Sequence, residues 1–196
     1  MEAQGLAESK KNAARLGAHI VFADESGFML TPTVRRTWAP VGQTPVIGYR
    51  YNHARISVIG GLTISPRRKR LGFYFRLHAK NIATDEVEDF LWYLLKHLRG
   101  HVVLIWDGAS IHGRKGLHDF CGKYPRLHLE SLPAYAPELN PIEALWHAAK
   151  HPLANGRPDN IPELGCDLLA SLRKACASQR VLRGCVSQSD LPPFLH

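Results

Sequence analysis

Long apolar runs are missing from this chain of 196 residues. No stretch approaches the ~18 consecutive apolar residues of a membrane span, and the N-terminal residues are too polar for a secretory signal peptide. Internal repeats and low-complexity segments are missing as well, which excludes the fibrous and the intrinsically disordered classes. Because 45% of the residues are hydrophobic, we expect one domain with a substantial core. Because no membrane span or signal peptide is found in the sequence, we expect a cytoplasmic protein without a membrane partner.

Cysteine is scarce, and its spacing carries no metal or disulfide signature. The four cysteines are Cys121, Cys166, Cys176 and Cys185, and none of them forms a C-x-x-C pair. This spacing argues against a zinc site and against a disulfide framework. We expect reduced thiols that serve mostly in packing, as in a cytosolic protein.

Acidic residues are fewer than basic ones. Asp and Glu number 17 and Lys and Arg number 25, which gives a net charge of +8 with neutral histidines. An excess of this size favours a polyanionic partner, with nucleic acid as the first candidate. The alternative is a soluble enzyme that happens to be basic.

Short apolar runs and periodic segments follow one another along the chain, and they predict strands and helices in turn. Strands are predicted near residues 20–23, 56–64, 73–77, 102–106 and 127–132, and helices over residues 1–17, 84–98, 112–122, 141–151 and 163–180. Residues rich in proline and glycine predict irregular or hairpin structure over 31–50 and a linker over 152–162. This order indicates an α/β fold with a mixed sheet covered by helices.

Two of the predicted buried strands are followed directly by an aspartate, Asp24 and Asp107. Ligands bind at the carboxyl ends of parallel strands, so neighbouring strands would bring the two carboxylates together. Like charges so close are unfavourable unless a cation holds them, and carboxylate oxygens suit Mg²⁺ or Mn²⁺. The alternative is that each aspartate begins a turn, because Gly27 and Gly108 follow within three residues. Two such aspartates in a basic protein favour the metal.

Glu143 is the third candidate, and the pattern leaves two interpretations open. Asn140 is a natural N-cap, Pro141 suits the first helical position, and a capping-box glutamate belongs where Glu143 falls. The apolar residues of the predicted helix leave Glu143 and His147 together on the adjoining face. The side chain of Glu143 therefore either caps its own helix or reaches toward the two aspartates.

Four sequence blocks occur in one order along the chain: VFADESGF at 21–28, RTWAPVGQTP at 36–45, WDGASIH at 106–112 and APELNPIEALW at 136–146. Together they resemble the catalytic, DDE-type domain of bacterial insertion-sequence transposases of the mariner-like superfamily. The resemblance runs from about residue 17 to near the C-terminus. The intervening residues 108–142 match in length the family's spacing between its second and third carboxylates.

The resemblance implies a ribonuclease-H-like fold and a catalytic triad of Asp24, Asp107 and Glu143. These residues would bind two Mg²⁺ or Mn²⁺ ions for metal-dependent DNA strand cleavage and strand transfer by in-line phosphoryl transfer. The chain would then divide into a basic helical lead-in over residues 1–17, a catalytic domain over 18–151, and a linker and helix over 152–196 that complete the same domain. The alternatives are a Mg²⁺-dependent nuclease or phosphohydrolase of similar fold, or a DNA-binding transposase remnant without catalysis.

The resemblance also implies partners. They are transposon ends and target DNA, and a second copy of the chain in a dimeric DNA complex. The implied place of action is the bacterial nucleoid. Such transposases carry an N-terminal helix-turn-helix region, and this sequence begins close to the catalytic blocks. We therefore expect a second reading frame, a truncated copy or a fragment, with a separate helix-turn-helix protein as a candidate partner.

Basic and aromatic residues outside the triad are candidate DNA contacts, since basic side chains bind phosphates and aromatic rings stack on bases. The candidates are Arg35, Arg36 and Trp38 in the segment that lies near DNA in relatives, the basic turn Arg67, Arg68, Lys69 and Arg70, and His112. The alternatives are a core position for Trp38, a solvated hairpin tip for residues 67–70 and an ordinary histidine at a helix start for His112.

Overall fold

The computed structural model of the protein describes residues 2–31, 34–46, 54–106, 114–132, 136–156, 158–189 and 191. The helices are α1 (Glu2–Arg15), α2 (Thr84–His97), α3 (Arg114–Lys123), α4 (Pro141–Lys150), α5 (Ile161–Ala177) and α6 (Gln179–Gln188). The strands are β1 (His19–Met29), β2 (Arg55–Ile64), β3 (Leu71–His78), β4 (Val102–Trp106) and β5 (Leu127–Ser131). Short 3-10 turns, Pro137–Leu139 and His151–Leu153, flank α4. Within these ranges no helix has the length and hydrophobicity of a membrane span.

The strands form one mixed sheet in the order β3-β2-β1-β4-β5. The pairs β1–β2 and β2–β3 are antiparallel, whereas β1–β4 and β4–β5 are parallel. Parallel neighbours need a crossover connection, and α3 supplies it between β4 and β5. The α/β fold with a mixed sheet covered by helices, predicted from the sequence, is confirmed.

Strand β1 distributes its side chains between two hydrophobic cores, one on each face of the sheet. Ile20 and Phe22 pack with residues of α4, α5 and α6, while Val21 and Ala23 pack with residues of α2 and α3. All four side chains are fully buried. Because successive side chains of a strand alternate between faces, Asp24 shares the face of Ile20 and Phe22, toward α4.

The predicted end of the first strand at Asp24 is wrong, because β1 continues to Met29. Residues 24–29 pair with β2, from Asp24 opposite Gly60 to Met29 opposite Arg55. Gly27 therefore lies within the strand rather than in a turn. The parallel pairing with β4 does stop near the predicted point, at Ala23 opposite Trp106. Asp24 thus lies where β1 loses one of its two neighbouring strands.

The helix predicted over residues 163–180 corresponds to α5, and it is followed by α6, which was not predicted. Ser178, between α5 and α6, has an extended backbone, and its side chain accepts a hydrogen bond from the Val181 N–H at 3.2 Å. This N-cap starts a second helix because a serine hydroxyl satisfies an N–H group that otherwise has no partner in the helix. Both helices pack on the face of the sheet that carries Phe22. Leu164 and Leu168 of α5 and Leu182 of α6 are buried in the same core as Phe22.

Candidate active site

The half-buried Asp24 is at the centre of the site. The preceding residue, Ala23, pairs with Trp106, which is the last residue of β4. The next residue along the chain from Trp106 is the predicted site residue Asp107. Asp107 and His112 both lie outside the described residues. The described part of the site is therefore built by β1, β2 and α4.

The Asp24 carboxylate accepts a hydrogen bond from a buried tryptophan. The Trp146 indole Nε1–H donates to Asp24 Oδ2 at 2.9 Å, and 2% of the Trp146 side chain is exposed. The sequence pattern placed Trp146 correctly in the buried stripe of α4, but it did not indicate this contact. The sequence feature that could have revealed the contact is Gly60, because a glycine within a strand often marks the close approach of another group.

Burial and a neighbouring charge raise the pKa of Asp24 to about 7. Partial removal from water is the larger cause, and the negative charge of Glu143 is the next. The Trp146 hydrogen bond acts in the opposite direction, since it stabilises the ionised form. The site is therefore an acidic pair that resists carrying two negative charges in the absence of a cation.

The structure distinguishes between the two interpretations of Glu143. Asn140 is the N-cap of α4, as predicted, and its side chain accepts from the Ile142 N–H at 3.4 Å. The Asn140 backbone N–H, which a capping-box glutamate would bind, donates instead to the Pro137 carbonyl at 2.9 Å. Glu143 is exposed, and its charge acts on Asp24. The structure thus disfavours the capping box and leaves the Glu143 carboxylate near enough for its charge to act on Asp24.

The donor set fits a hard divalent cation. Asp24 and Glu143 offer carboxylate oxygens, which are the ligands that Mg²⁺ and Mn²⁺ prefer, and their mutual repulsion would be relieved by a positive ion. Within the described ranges no group of three or more metal-ligating side chains is found, so the described part of the site offers these two carboxylates. The four cysteines are free thiols.

The segment 34–46 has no regular secondary structure, as predicted, and presents its side chains to solvent. Its start is fixed to the chain beyond α4: the Arg35 N–H donates to Asn155 Oδ1 at 2.8 Å, and Asn155 Nδ2 donates to the Arg35 carbonyl at 3.1 Å. Arg36 is exposed and Trp38 is 100% exposed. A core position for Trp38 is therefore wrong, and its ring is available for stacking.

The basic turn at residues 67–70 lies away from the acidic pair. Ile64, just before the turn, pairs with Ile20 at the start of β1. Asp24 is four residues further along that strand, about 13 Å at ~3.3 Å per residue. Arg68 Nη1 lies 3.4 Å from the Ala18 carbonyl, and the Arg183 guanidinium donates to the Lys69 carbonyl at 2.6 Å. The structure therefore does not bring this turn to the carboxylates.

The sheet order and the covering helices are those of a ribonuclease-H-like domain. The chain belongs to the DDE superfamily endonucleases, whose family model matches residues 19–164. The prediction of a DDE-type catalytic domain is thereby confirmed.

Known transposases resemble the chain in sequence and in structure. The transposable element Tc3 transposase of Caenorhabditis elegans is 30% identical over 146 residues, which cover 70% of this chain and 43% of that protein. The pre-cleavage Mos1 transpososome matches with a TM-score of 0.58 at 18% identity, over 95% of this chain and 60% of that one. The mariner Mos1 paired end complex with Mg matches with a TM-score of 0.53 at 17% identity, over 98% of this chain and 64% of that one.

These comparisons concern part of each relative. The chain spans less than half the length of the Tc3 transposase and less than two thirds of the Mos1 chains. At 17–18% identity the Mos1 likeness shows the fold alone. The comparisons support a DDE endonuclease domain with mariner-type relatives.

Proposed function

We propose that this chain cleaves DNA strands and joins their 3′-hydroxyl ends to target DNA in a reaction that requires Mg²⁺ or Mn²⁺. The observation that carries the proposal is the acidic pair itself. It is supported by the position of Glu143 at the start of α4, near enough to Asp24 on β1 for its charge to raise the pKa of Asp24. In a chain that belongs to the DDE endonucleases, two such carboxylates are suited to holding cations against a phosphodiester.

We assign Asp24, Asp107 and Glu143 as the ligands. The register supports Asp107, because Trp106, which precedes it, is paired with the residue that precedes Asp24. When bound, two divalent ions would activate the attacking hydroxyl and stabilise the leaving oxygen of an in-line displacement. The protein would supply the fixed carboxylates, and no side chain would act as a nucleophile.

We propose that the DNA partners are transposon ends and a target duplex, bound by a dimer of this chain. One similar structure is a paired end complex of Mos1 with Mg, which supports both the DNA and the cation. The finer assignments remain proposals: a bacterial insertion sequence, action in the cytoplasm at the nucleoid, and a separate helix-turn-helix protein that recognises the ends.

The test is a cleavage and joining assay with purified chain, labelled duplex DNA and Mg²⁺ or Mn²⁺, with EDTA as the control. Strand transfer products that appear with the metal and disappear with EDTA would support the proposal. Cleavage without joining would instead indicate a nuclease of similar fold. If the chain binds DNA but neither cleaves nor joins it, whether or not a helix-turn-helix partner protein is added, the result would indicate a non-catalytic remnant.

DNA binding is expected to be strongly salt-dependent and weakly sequence-selective, because it would rest on the net charge of +8. For duplex DNA the logarithm of affinity falls with the logarithm of salt with a slope near −0.9 per neutralised phosphate. A filter-binding titration over a range of salt concentrations measures this slope. Affinity that stays constant between low and physiological salt would contradict the prediction.

Because the basic turn lies away from the acidic pair, arginine variants in segment 34–46 and in the turn should change the salt dependence of DNA binding differently. Replacing Arg35 and Arg36 by Gln is expected to make the salt slope shallower by about 1 to 2 units. Replacing Arg67 and Arg70 by Gln is expected to leave the slope unchanged, since their turn lies at the other end of β1 from the carboxylates. The reverse result would place the DNA on the turn.

A further inference from the structure

Trp146 occupies a fixed position between α4 and the sheet. Its indole makes edge-to-face contacts with Phe28, at 6.3 Å between ring centres, and with Phe73, at 5.7 Å. With 2% of its surface exposed, the ring has little freedom to rotate away from Asp24. Its Nε1–H is therefore directed at the carboxylate by packing on both sides, and not by the hydrogen bond alone.

Gly60 provides the space for this ring. Gly60 lies opposite Asp24 across the β1–β2 pair. A Cβ atom at this position would lie 2.6 Å from Trp146 Cη2 and 2.8 Å from Phe73 Cε2. Gly60 has an ordinary strand backbone, so glycine is required here for space rather than for an unusual φ. Any side chain at position 60 would force the indole, the Phe73 ring or both to shift.

We propose that Trp146 is a positioning residue that holds the Asp24 carboxylate in the orientation needed to bind a divalent cation, and that Gly60 is the residue that makes this position available. The inference rests on the proposed function, because it assumes that Asp24 is a metal ligand. A carboxylate has about four lone-pair sites, so one accepted N–H leaves capacity for a cation. Hydrogen bonds from outer groups orient metal ligands, and their loss weakens metal affinity or activity about 10–100-fold.

A first experiment needs no substitution. The sequence contains four tryptophans, so the indole N–H signals form a small, assignable set in a ¹H–¹⁵N spectrum. Addition of paramagnetic Mn²⁺ is expected to broaden the Trp146 signal strongly. The Trp92 signal is the internal control, because Trp92 is exposed on α2 and contacts Lys96, on the other side of the sheet. Equal broadening of the two signals, or none, would overturn the proposal.

The second experiment compares three variants by Mn²⁺ titration, with the free ion followed by electron paramagnetic resonance. Trp146→Phe keeps an aromatic ring but loses the N–H donor, and it is expected to bind Mn²⁺ about 10-fold more weakly or worse. Gly60→Ala is expected to weaken binding in the same direction by displacing the indole. Each variant is measured well below its melting temperature.

Gly61→Ala is the matched control for Gly60→Ala. Its Cβ would lie 2.9 Å from Val21 Cγ1 and 3.4 Å from Phe90 Cζ, in the core on the opposite face of the sheet. It should lower stability and leave Mn²⁺ affinity unchanged. If Gly61→Ala weakens Mn²⁺ binding as much as Gly60→Ala, general loosening explains the effect and the proposal fails.

The outcomes separate this inference from the proposed function. If the wild-type chain binds Mn²⁺ through Asp24 but never cleaves DNA, the proposed function fails and the positioning role stands. If the wild type cleaves DNA, and Trp146→Phe shows the same Mn²⁺ affinity and the same Mg²⁺ requirement, the positioning role fails and the function stands.

Discussion

Replacing Glu143 by glutamine is expected to abolish strand cleavage and joining while the protein folds normally and still binds DNA. Glutamine retains the shape and a hydrogen-bond acceptor, but it lacks the full negative charge that a hard divalent ion requires. Loss of one ligand removes several kcal/mol of transition-state stabilisation, which corresponds to a rate reduction on the order of 10²-fold or more. The measurement is the single-turnover cleavage rate of a labelled duplex at saturating Mg²⁺.

The stability of the Glu143→Gln variant distinguishes the catalytic role from a purely structural one. An acidic residue in the first turn of a helix contributes about 0.3–1 kcal/mol through the helix dipole, and relief of the repulsion with Asp24 acts in the opposite direction. We therefore expect a melting temperature close to that of the wild type.

Glu138 is the control for Glu143, since it is also exposed and lies in the 3-10 turn just before α4. Glu138→Gln should retain activity. A Glu143→Gln protein that cleaves at the wild-type rate would contradict the assignment of Glu143 as a ligand.

Asp24→Asn is expected to lose metal-dependent nicking and, without metal, to be more stable than the wild type at pH 8. Activity falls because the ligand charge is lost. Stability rises because the variant has no buried charge beside Glu143, while the asparagine carbonyl still accepts the Trp146 N–H. Asp107→Asn is expected to lose the same activity.

The gain in stability should depend on pH in a defined direction. The pKa of Asp24 is about 7 in the folded protein, against an ordinary aspartate pKa of 3.8. Between these values the folded state binds more protons than the unfolded state, so the wild type loses stability as pH rises through this window. At about 1.4 kcal/mol per pKa unit, the loss is at most about 4 kcal/mol, reached above pH 7.

Chemical denaturation in EDTA at pH 4 and pH 8 measures this effect. The difference in unfolding free energy between Asp24→Asn and the wild type should be near zero at pH 4 and largest at pH 8. Addition of Mg²⁺ at pH 8 should stabilise the wild type more than the variant, since a bound cation offsets the charge of Asp24. A difference that is the same at both pH values would show that Asp24 is not the destabilising group.

Regular elements were largely predictable because their signals are local. The apolar stripe of α2 and the proline and asparagine at the start of α4 each depend on a few neighbouring residues. The errors arose where a distant partner decides. Residues 24–29 look like a turn by composition, yet they form a strand because β2 offers hydrogen-bond partners along their whole length. The exception is α6, which was not predicted although the signal for its start, the N-cap Ser178, is local.

The same distinction between local signals and distant contacts applies to the candidate site. The sequence by itself determined the fold class and the family, because these follow from short motifs in a set order, and it nominated Asp24, Asp107 and Glu143 as the acidic residues of the site. Only the tertiary structure decided that the charge of Glu143 acts on Asp24 while the Asn140 N–H binds Pro137 instead of a capping glutamate. It also decided that Trp38 is exposed and that the basic turn lies away from the carboxylates. Only the tertiary structure placed Gly60, Asp24 and Trp146 in contact, because that contact depends on how α4 packs across the sheet, and no local pattern encodes the distance between segments so far apart in the chain.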